Sequence, residues 1–285
     1  MDIKIKTENS DDLYGIYLPV NNTRACTILI NGLGDHINRY KYIADYFNDN
    51  DYSFIGVDLP GHGRSPGKRG HIRDLGQCSG IISSMVEWLR EREGDIPLIL
   101  YGHSLGGTVA LDYLMYNNDI ERGIITSPWL KLNFEPPRLK MILASLVSRI
   151  LPSLLQPSGL DPADICSDEE VVNEYRKDSY IHSLISVGLF ASAVKTASKL
   201  LKVRDELQKR VLIIHSDKDK ITSAEGSAIF AGQNSIADLK IWNKGYHELH
   251  NEPFRDEVMS YIINWLDVTN GTQDKNRKAT GKRED

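Results

Sequence analysis

Three short stretches carry residue types that can do covalent chemistry together. Gly102-His103-Ser104-Leu105-Gly106 sets a serine between glycines, and a serine hydroxyl becomes a working nucleophile only beside a base that a third group orients. Ser216-Asp217-Lys218-Asp219-Lys220-Ile221 offers two carboxylates, and Gly245-Tyr246-His247-Glu248-Leu249-His250 offers two imidazoles. Serine, then acid, then histidine is the chain order expected around a G-x-S-x-G turn. His247 is the candidate general base and Asp219 its orienting carboxylate. Asp217 competes as the acid, and His250, expected at a helix start, competes as the base. The two histidines are three residues apart, one short of the step in His-Glu-x-x-His, so no metal site is expected here.

These residues need elements to position them. Residues 98–101 read as a strand before Ser104 and residues 108–115 as a helix after it. In that context a sharp turn exposes the serine, and the helix N-terminus offers N–H groups to a developing oxyanion. Similar β-branched runs occur at 26–30, 53–57, 123–126 and 211–214, with a weaker one at 239–242. Near-continuous apolar runs suit strands covered on both faces, as in a parallel sheet. Residues 3–7 and 13–20 read as an antiparallel hairpin at one edge. Leu75, Cys78, Ile81, Ile82, Met85, Val86 and Leu89 form one helical stripe ahead of Gly94; Phe254, Val258, Tyr261, Ile262 and Trp265 form another. The fold class is α/β, with a mostly parallel central sheet flanked by helices.

Residues 128–205 break the alternation. They contain no strand-like run, only prolines and helical patterns at 138–151, 168–175 and 184–201. A stretch this long is expected to form a helical cap, or lid, over the carboxyl ends of the strands, where open α/β sheets bind ligands. The core is then split into 1–127 and 206–268. Residues 269–285, whose one apolar residue is Ala279, read as a disordered tail.

Composition limits the partners. The 285 residues carry 34 Lys plus Arg and 39 Asp plus Glu, a net charge of −5, with no basic excess to suit nucleic acid. Cys26, Cys78 and Cys166 are odd in number and unclustered, and read as buried thiols outside any disulfide or zinc framework. There is no secretory signal pattern and no apolar run near the roughly 20 residues of a membrane span. The expected location is cytoplasmic. No cofactor is expected.

Four motifs taken together resemble a known family: Asn31-Gly-Leu-Gly-Asp-His-Ile-Asn-Arg-Tyr40, Asp58-Leu-Pro-Gly-His-Gly-Arg-Ser65, Gly102-His-Ser-Leu-Gly-Gly107 and Tyr246-His-Glu-Leu249. They are similar to the α/β-hydrolases of the monoacylglycerol lipase and lysophospholipase group, within the serine aminopeptidase S33-like hydrolases. Gly67-Lys-Arg-Gly70 belongs to the same pattern, and Pro162 to Val172 with Tyr175 and Asp178 resembles that family's lid. The resemblance spans about residues 26–266. It implies an α/β-hydrolase fold with a cap, a Ser104–His247–Asp219 triad, and an oxyanion hole made by the backbone N–H groups of Leu33 and Leu105. It also favours Asp219 over Asp217, because the family's acid lies two residues before a small apolar residue, here Ile221. One departure is Asn31-Gly32 where the family usually has His-Gly, which bears on how that loop is held.

The implied reaction is hydrolysis of a monoglyceride or lysophospholipid ester through an acyl-enzyme. A general carboxylesterase acting on small soluble esters, a carbon–carbon bond hydrolase or haloperoxidase on the same triad, and a non-catalytic binding protein of the same fold are the alternatives. Met141, Ile142, Leu143, Leu146, Val147, Ile150 and Leu151, flanked by Arg138, Lys140 and Arg149, are more apolar residues than one face can bury. They suit a lid that rests on a lipid surface or lines an acyl tunnel, or else a helix packed on the body. Asp58, Gly61, His62 and Gly63 read as a structural turn and His103 as packing. Arg39, Arg64 and Arg69 read as tied to turns and carboxylates, or as one contact to an anionic head group.

Overall fold

A computed structural model describes residues 1–7, 12–134 and 146–280, with side chains through residue 269. The apolar runs become strands β3 (Ala25–Ile30), β4 (Tyr52–Val57), β5 (Leu98–His103), β6 (Arg122–Thr126), β9 (Arg210–Ser216) and β10 (Ala237–Trp242). The edge hairpin is β1 (Asp2–Lys6) with β2 (Asp12–Leu18), joined antiparallel, and β2 also meets β4 antiparallel. The other pairings of this sheet are parallel. The eight strands lie in the order β1-β2-β4-β3-β5-β6-β9-β10. Every residue of β3, β4, β5 and β6 is buried, as strands covered on both faces require.

Helices supply the two covers. On one face lie α2 (Leu75–Glu93), α3 (Leu105–Tyr116) and α5 (Val187–Leu200); on the other lie α1 (Lys41–Asn48) and α7 (Arg255–Thr280). The α2 stripe buries the seven residues named from its periodicity. Asp74 caps this helix by accepting from Gln77 N–H, and Gly94, at φ 68°, ends it in a conformation that favours glycine. In α7 the buried stripe is Val258, Met259, Ile262, Ile263 and Leu266, while Tyr261 is 36% exposed, so Tyr261 lies at the margin of that stripe.

The cap differs from the expectation in two ways. It contains a two-stranded antiparallel ribbon, β7 (Leu155–Pro157) with β8 (Leu184–Ser186). These strands are three residues each, too short to leave an alternating pattern in the sequence. Leu184–Ser186 therefore belongs to a strand, and the following helix begins only at Val187, with Ser186 accepting from Leu189 N–H as its cap. That helix sends Leu189, Ala193 and Leu200 into the core shared with α2 and α3, anchoring the cap to the body. The pattern at 168–175 corresponds to α4 (Glu169–Lys177), capped by Asp168. Of the pattern at 138–151, residues 146–150 are helical and 135–145 lie outside the described residues.

The chain also stays helical past residue 268. Thr269 is buried, its hydroxyl meets the Trp265 carbonyl and the Arg122 guanidinium, and α7 continues to Thr280. The helix therefore runs across the boundary expected at 269, where a polar threonine satisfies the helix backbone. Residues 281–285 lie outside the described residues. Among the described residues no helix is long and apolar enough to cross a membrane.

Candidate active site

Ser104 joins β5 to α3 at φ 54° and ψ −117°, a strained backbone for a residue with a side chain. The flanking glycines explain how the turn is tolerated. A Cβ on Gly102 would stand 2.5 Å from the Gly106 carbonyl oxygen, and one on Gly106 would stand 2.2 Å from that of Ile30. G-x-S-x-G is thus a packing requirement that brings α3 close against β3 and β5. Backbone bonds hold the turn: Ser104 N–H donates to the Thr126 carbonyl at 2.9 Å, and Trp129 N–H donates to the Ser104 carbonyl at 3.0 Å.

Because β5, β6, β9 and β10 run parallel and adjacent, the loops after β5, β9 and β10 open on one edge of the sheet. Those loops carry Ser104, Asp219 and His247. Asp219 is buried, and its Oδ2 lies 2.7 Å from His247 Nδ1. Its Oδ1 accepts from the Ile221 and Thr222 backbone N–H groups at 2.8 and 3.0 Å. Burial alone would raise the carboxyl pKa, but the His247 charge and the hydrogen bonds from His215 and His247 hold it well below the usual carboxylate range. Burial opposes the charged form of His247 too, yet Asp219 beside it raises that imidazole above its ordinary value. Ser127 fixes the His247 backbone by donating its hydroxyl to the His247 carbonyl at 2.7 Å.

The two competitors sit elsewhere. Asp217 is exposed, while Asp219 is buried. His250 lies in a 3-10 turn at Leu249–Asn251, ahead of α7, so it is not at the helix start. It stacks on Tyr40 with ring centroids 5.2 Å apart and meets His103 edge-on at 4.8 Å. Both its ring nitrogens are buried without a partner among the described residues, and burial lowers its pKa to about 4. Among the described residues no carboxylate bonds it. His103 packs 4.9 Å from the His247 ring and pairs its Nδ1 with the Thr126 hydroxyl at 3.0 Å, as a supporting residue would.

The loop after β3 approaches the serine from the other side. A Cβ on Gly32 would lie 3.3 Å from Ser104 Cβ, so Leu33 follows directly on the closest approach. Leu105 is the first residue of α3, where an N–H has no acceptor within the helix. The Asn31 side chain, fully buried, donates from Nδ2 to the Gly32 and Asp35 carbonyls, both at 3.0 Å. Asparagine therefore clamps the loop where the resembling family carries histidine. Tyr40 adds a second brace: its hydroxyl accepts from Gly32 N–H and donates to Asp35 Oδ2 at 2.8 Å.

An ion network lies behind both loops. Arg39 spans Glu248 through two bonds of 2.8 and 2.6 Å and reaches Asp35 at 3.0 Å, with the Tyr175 ring of α4 stacked 4.7 Å away. Arg64 and Arg69 are also occupied, by the Tyr14 hydroxyl and the Gly63 carbonyl. Asp58 accepts from Ile37 and Arg64 backbone N–H groups at 2.6 and 2.7 Å, the structural role expected of its turn. Cap and body meet here, through His36 with Asp178 at 2.8 Å, His182 N–H to the Gly34 carbonyl at 3.1 Å, and Glu248 N–H to the Ile165 carbonyl at 2.7 Å.

Sequence reasoning passed over His215, Thr222 and Glu248. His215 lies just past the apolar run at 211–214, and a polar side chain at the carboxyl end of a strand, four residues before the acid, is a usable signal. Glu248 and Arg39 are 209 residues apart, and nothing local pairs them.

The serine aminopeptidase S33 model of the Hydrolase_4 family matches residues 21–254. The chain belongs to that family. The chain is similar to an uncharacterised abhydrolase domain-containing protein of Dictyostelium discoideum, 33% identical over 247 residues that make up 85% of this chain and 26% of that protein. The chain thus spans about a quarter of that relative's length. The monoacylglycerol lipase of Mycolicibacterium smegmatis is 25% identical over 258 residues, 89% of this chain and 92% of that one. The crystal structure of the Paleococcus ferrophilus monoacylglycerol lipase superposes with a TM-score of 0.83 at 29% identity, covering 89% of this chain and 98% of that chain. The sheet and helices described above are those of an α/β-hydrolase.

Proposed function

We propose that the chain is a carboxylic ester hydrolase that cleaves a medium- or long-chain glycerolipid monoester, a monoacylglycerol or a lysophospholipid. Ser104 attacks the ester carbonyl while His247 takes the hydroxyl proton. Asp219 keeps the imidazole in the tautomer with its Nε2 free and stabilises the imidazolium that forms. The N–H groups of Leu33 and Leu105 receive the oxyanion. His247 then gives its proton to the departing alcohol, and water repeats the sequence on the acyl-enzyme. The observation that carries this reading is the buried 2.7 Å bond from His247 to Asp219 on the same sheet edge as the strained Ser104 turn.

Two observations support a lipid substrate. The M. smegmatis and P. ferrophilus relatives are monoacylglycerol lipases by name. Leu146, Ile150, Leu151 and Leu154 of the cap are 53%, 79%, 57% and 49% exposed, an apolar patch that suits contact with a membrane or micelle surface. Hydrolysis of monoolein, lysophosphatidylcholine, p-nitrophenyl acetate and leucine p-nitroanilide should be compared. The expected result is that one of the two long-chain lipids has the highest kcat/KM and the anilide is not turned over. Equal or faster cleavage of the acetate ester would overturn the lipid reading in favour of a small-ester hydrolase.

A further inference from the structure

One group at the site is unused by the mechanism above. His215, the penultimate residue of β9, is fully buried, and its Nε2 lies 3.1 Å from Asp219 Oδ2, the same oxygen that His247 occupies. That nitrogen also faces the Thr222 carbonyl at 3.3 Å and the Thr222 hydroxyl at 3.2 Å. A ring nitrogen surrounded by oxygen acceptors carries the proton, so the tautomer follows from its partners. The other nitrogen, Nδ1, takes the Ser227 hydroxyl at 2.8 Å, and Ser227 is itself buried in α6 (Ala224–Gly232). Both ends of the ring are therefore fixed, one by the sheet's outer helix and the other by the acid.

From this arrangement we infer that His215 is a positioning residue of the triad: a second imidazole that donates to Asp219 Oδ2, fixes the carboxylate's orientation and tempers its pull on His247. The inference rests on the triad proposed above. The Thr222 hydroxyl also reaches that oxygen, at 2.9 Å, so among the described residues His215 is one of three donors that divide its negative charge, and the only one besides His247 that is an imidazole. Without His215, more of that charge falls on His247, the imidazolium gains stability, and the base stays protonated to higher pH. The other groups facing His247 would be unchanged: His103 from β5, Glu248 and His250 from the turn after β10, and Asp35, whose charge Arg39 shares with Glu248.

His215→Asn and His215→Gln separate this role from simple packing. An asparagine amide reaches about as far as Nδ1, so it can keep Ser227 but not Asp219. A glutamine amide reaches about as far as Nε2 and can donate to Asp219. The readout is the pH profile of kcat/KM on p-nitrophenyl butyrate, with thermal melting to confirm folding and fluorophosphonate labelling of wild type and Ser104→Ala as the control. We expect His215→Asn to move the acid limb to higher pH, lowering the rate on that limb by roughly threefold or more relative to its own plateau, and His215→Gln to restore the wild-type limb. A folded His215→Asn whose limb coincides with wild type overturns the inference, as does a limb that shifts equally in both variants. Labelling that survives Ser104→Ala would instead overturn the triad itself. If His215→Asn does not fold, the His215→Gln limb decides: it supports the inference if it matches wild type and opposes it if it does not.

Discussion

His247 Nδ1 and Asp219 Oδ2 stand 2.7 Å apart with side chains 6% and 0% exposed, while Asp217, two residues away in sequence, is in solvent. The loop after β9 thus turns one carboxylate inward and one outward. Asp219→Asn keeps the shape but replaces an acceptor with a donor and favours the wrong imidazole tautomer. We expect kcat to fall roughly a thousand- to ten-thousandfold, with Asp217→Asn within about twofold of wild type. Steady-state rates on p-nitrophenyl butyrate check both.

The raised pKa of His247 sets the pH dependence. The base must be neutral to accept the serine proton, so kcat/KM is expected to fall as pH drops through the folded value, which lies above the ordinary 6.5. The acid limb of the profile is therefore expected above pH 6.5, and a limb clearly below it would contradict the Asp219 contact as the dominant influence.

Asn31 holds the loop that precedes Leu33. Asn31→Ala removes both 3.0 Å bonds to the Gly32 and Asp35 carbonyls. The expected effect is a loss in kcat of roughly tenfold to a hundredfold with little change in KM, since a loosened oxyanion loop weakens the transition state more than the bound ester.

The exposed cap residues give a substrate-dependent outcome. Ile150→Ser with Leu154→Ser is expected to lower hydrolysis of monoolein presented in vesicles by about tenfold or more, as two apolar side chains lose their burial at the lipid surface. Hydrolysis of p-nitrophenyl acetate in solution should stay within about twofold. An equal loss on both substrates would point to damaged packing.

Much of the sheet was legible because its strands are buried on both faces and so are apolar throughout, and because the α2 stripe repeats at helical spacing up to Gly94. The chemistry was legible at Ser104 for a local reason: glycines at 102 and 106 are needed wherever a helix packs this closely behind a strand. What the sequence does not show depends on distance or brevity. Arg39 and Glu248 meet across most of the chain, β7 and β8 are three residues each, and the anchoring of α5 to the body shows only in the residues it buries against α2 and α3. His215 was hidden in an apolar strand, where one polar residue does not disturb the pattern.

The central claim is that Ser104 is the nucleophile activated by His247 and Asp219. Its most direct test is covalent labelling of the folded protein with a fluorophosphonate probe, followed by peptide mapping of the modified residue. We expect stoichiometric modification at Ser104 in wild type, slowed greatly in Asp219→Asn and absent in Ser104→Ala. A folded wild-type protein that resists the probe, or one modified at another residue while Ser104 stays free, would contradict the account.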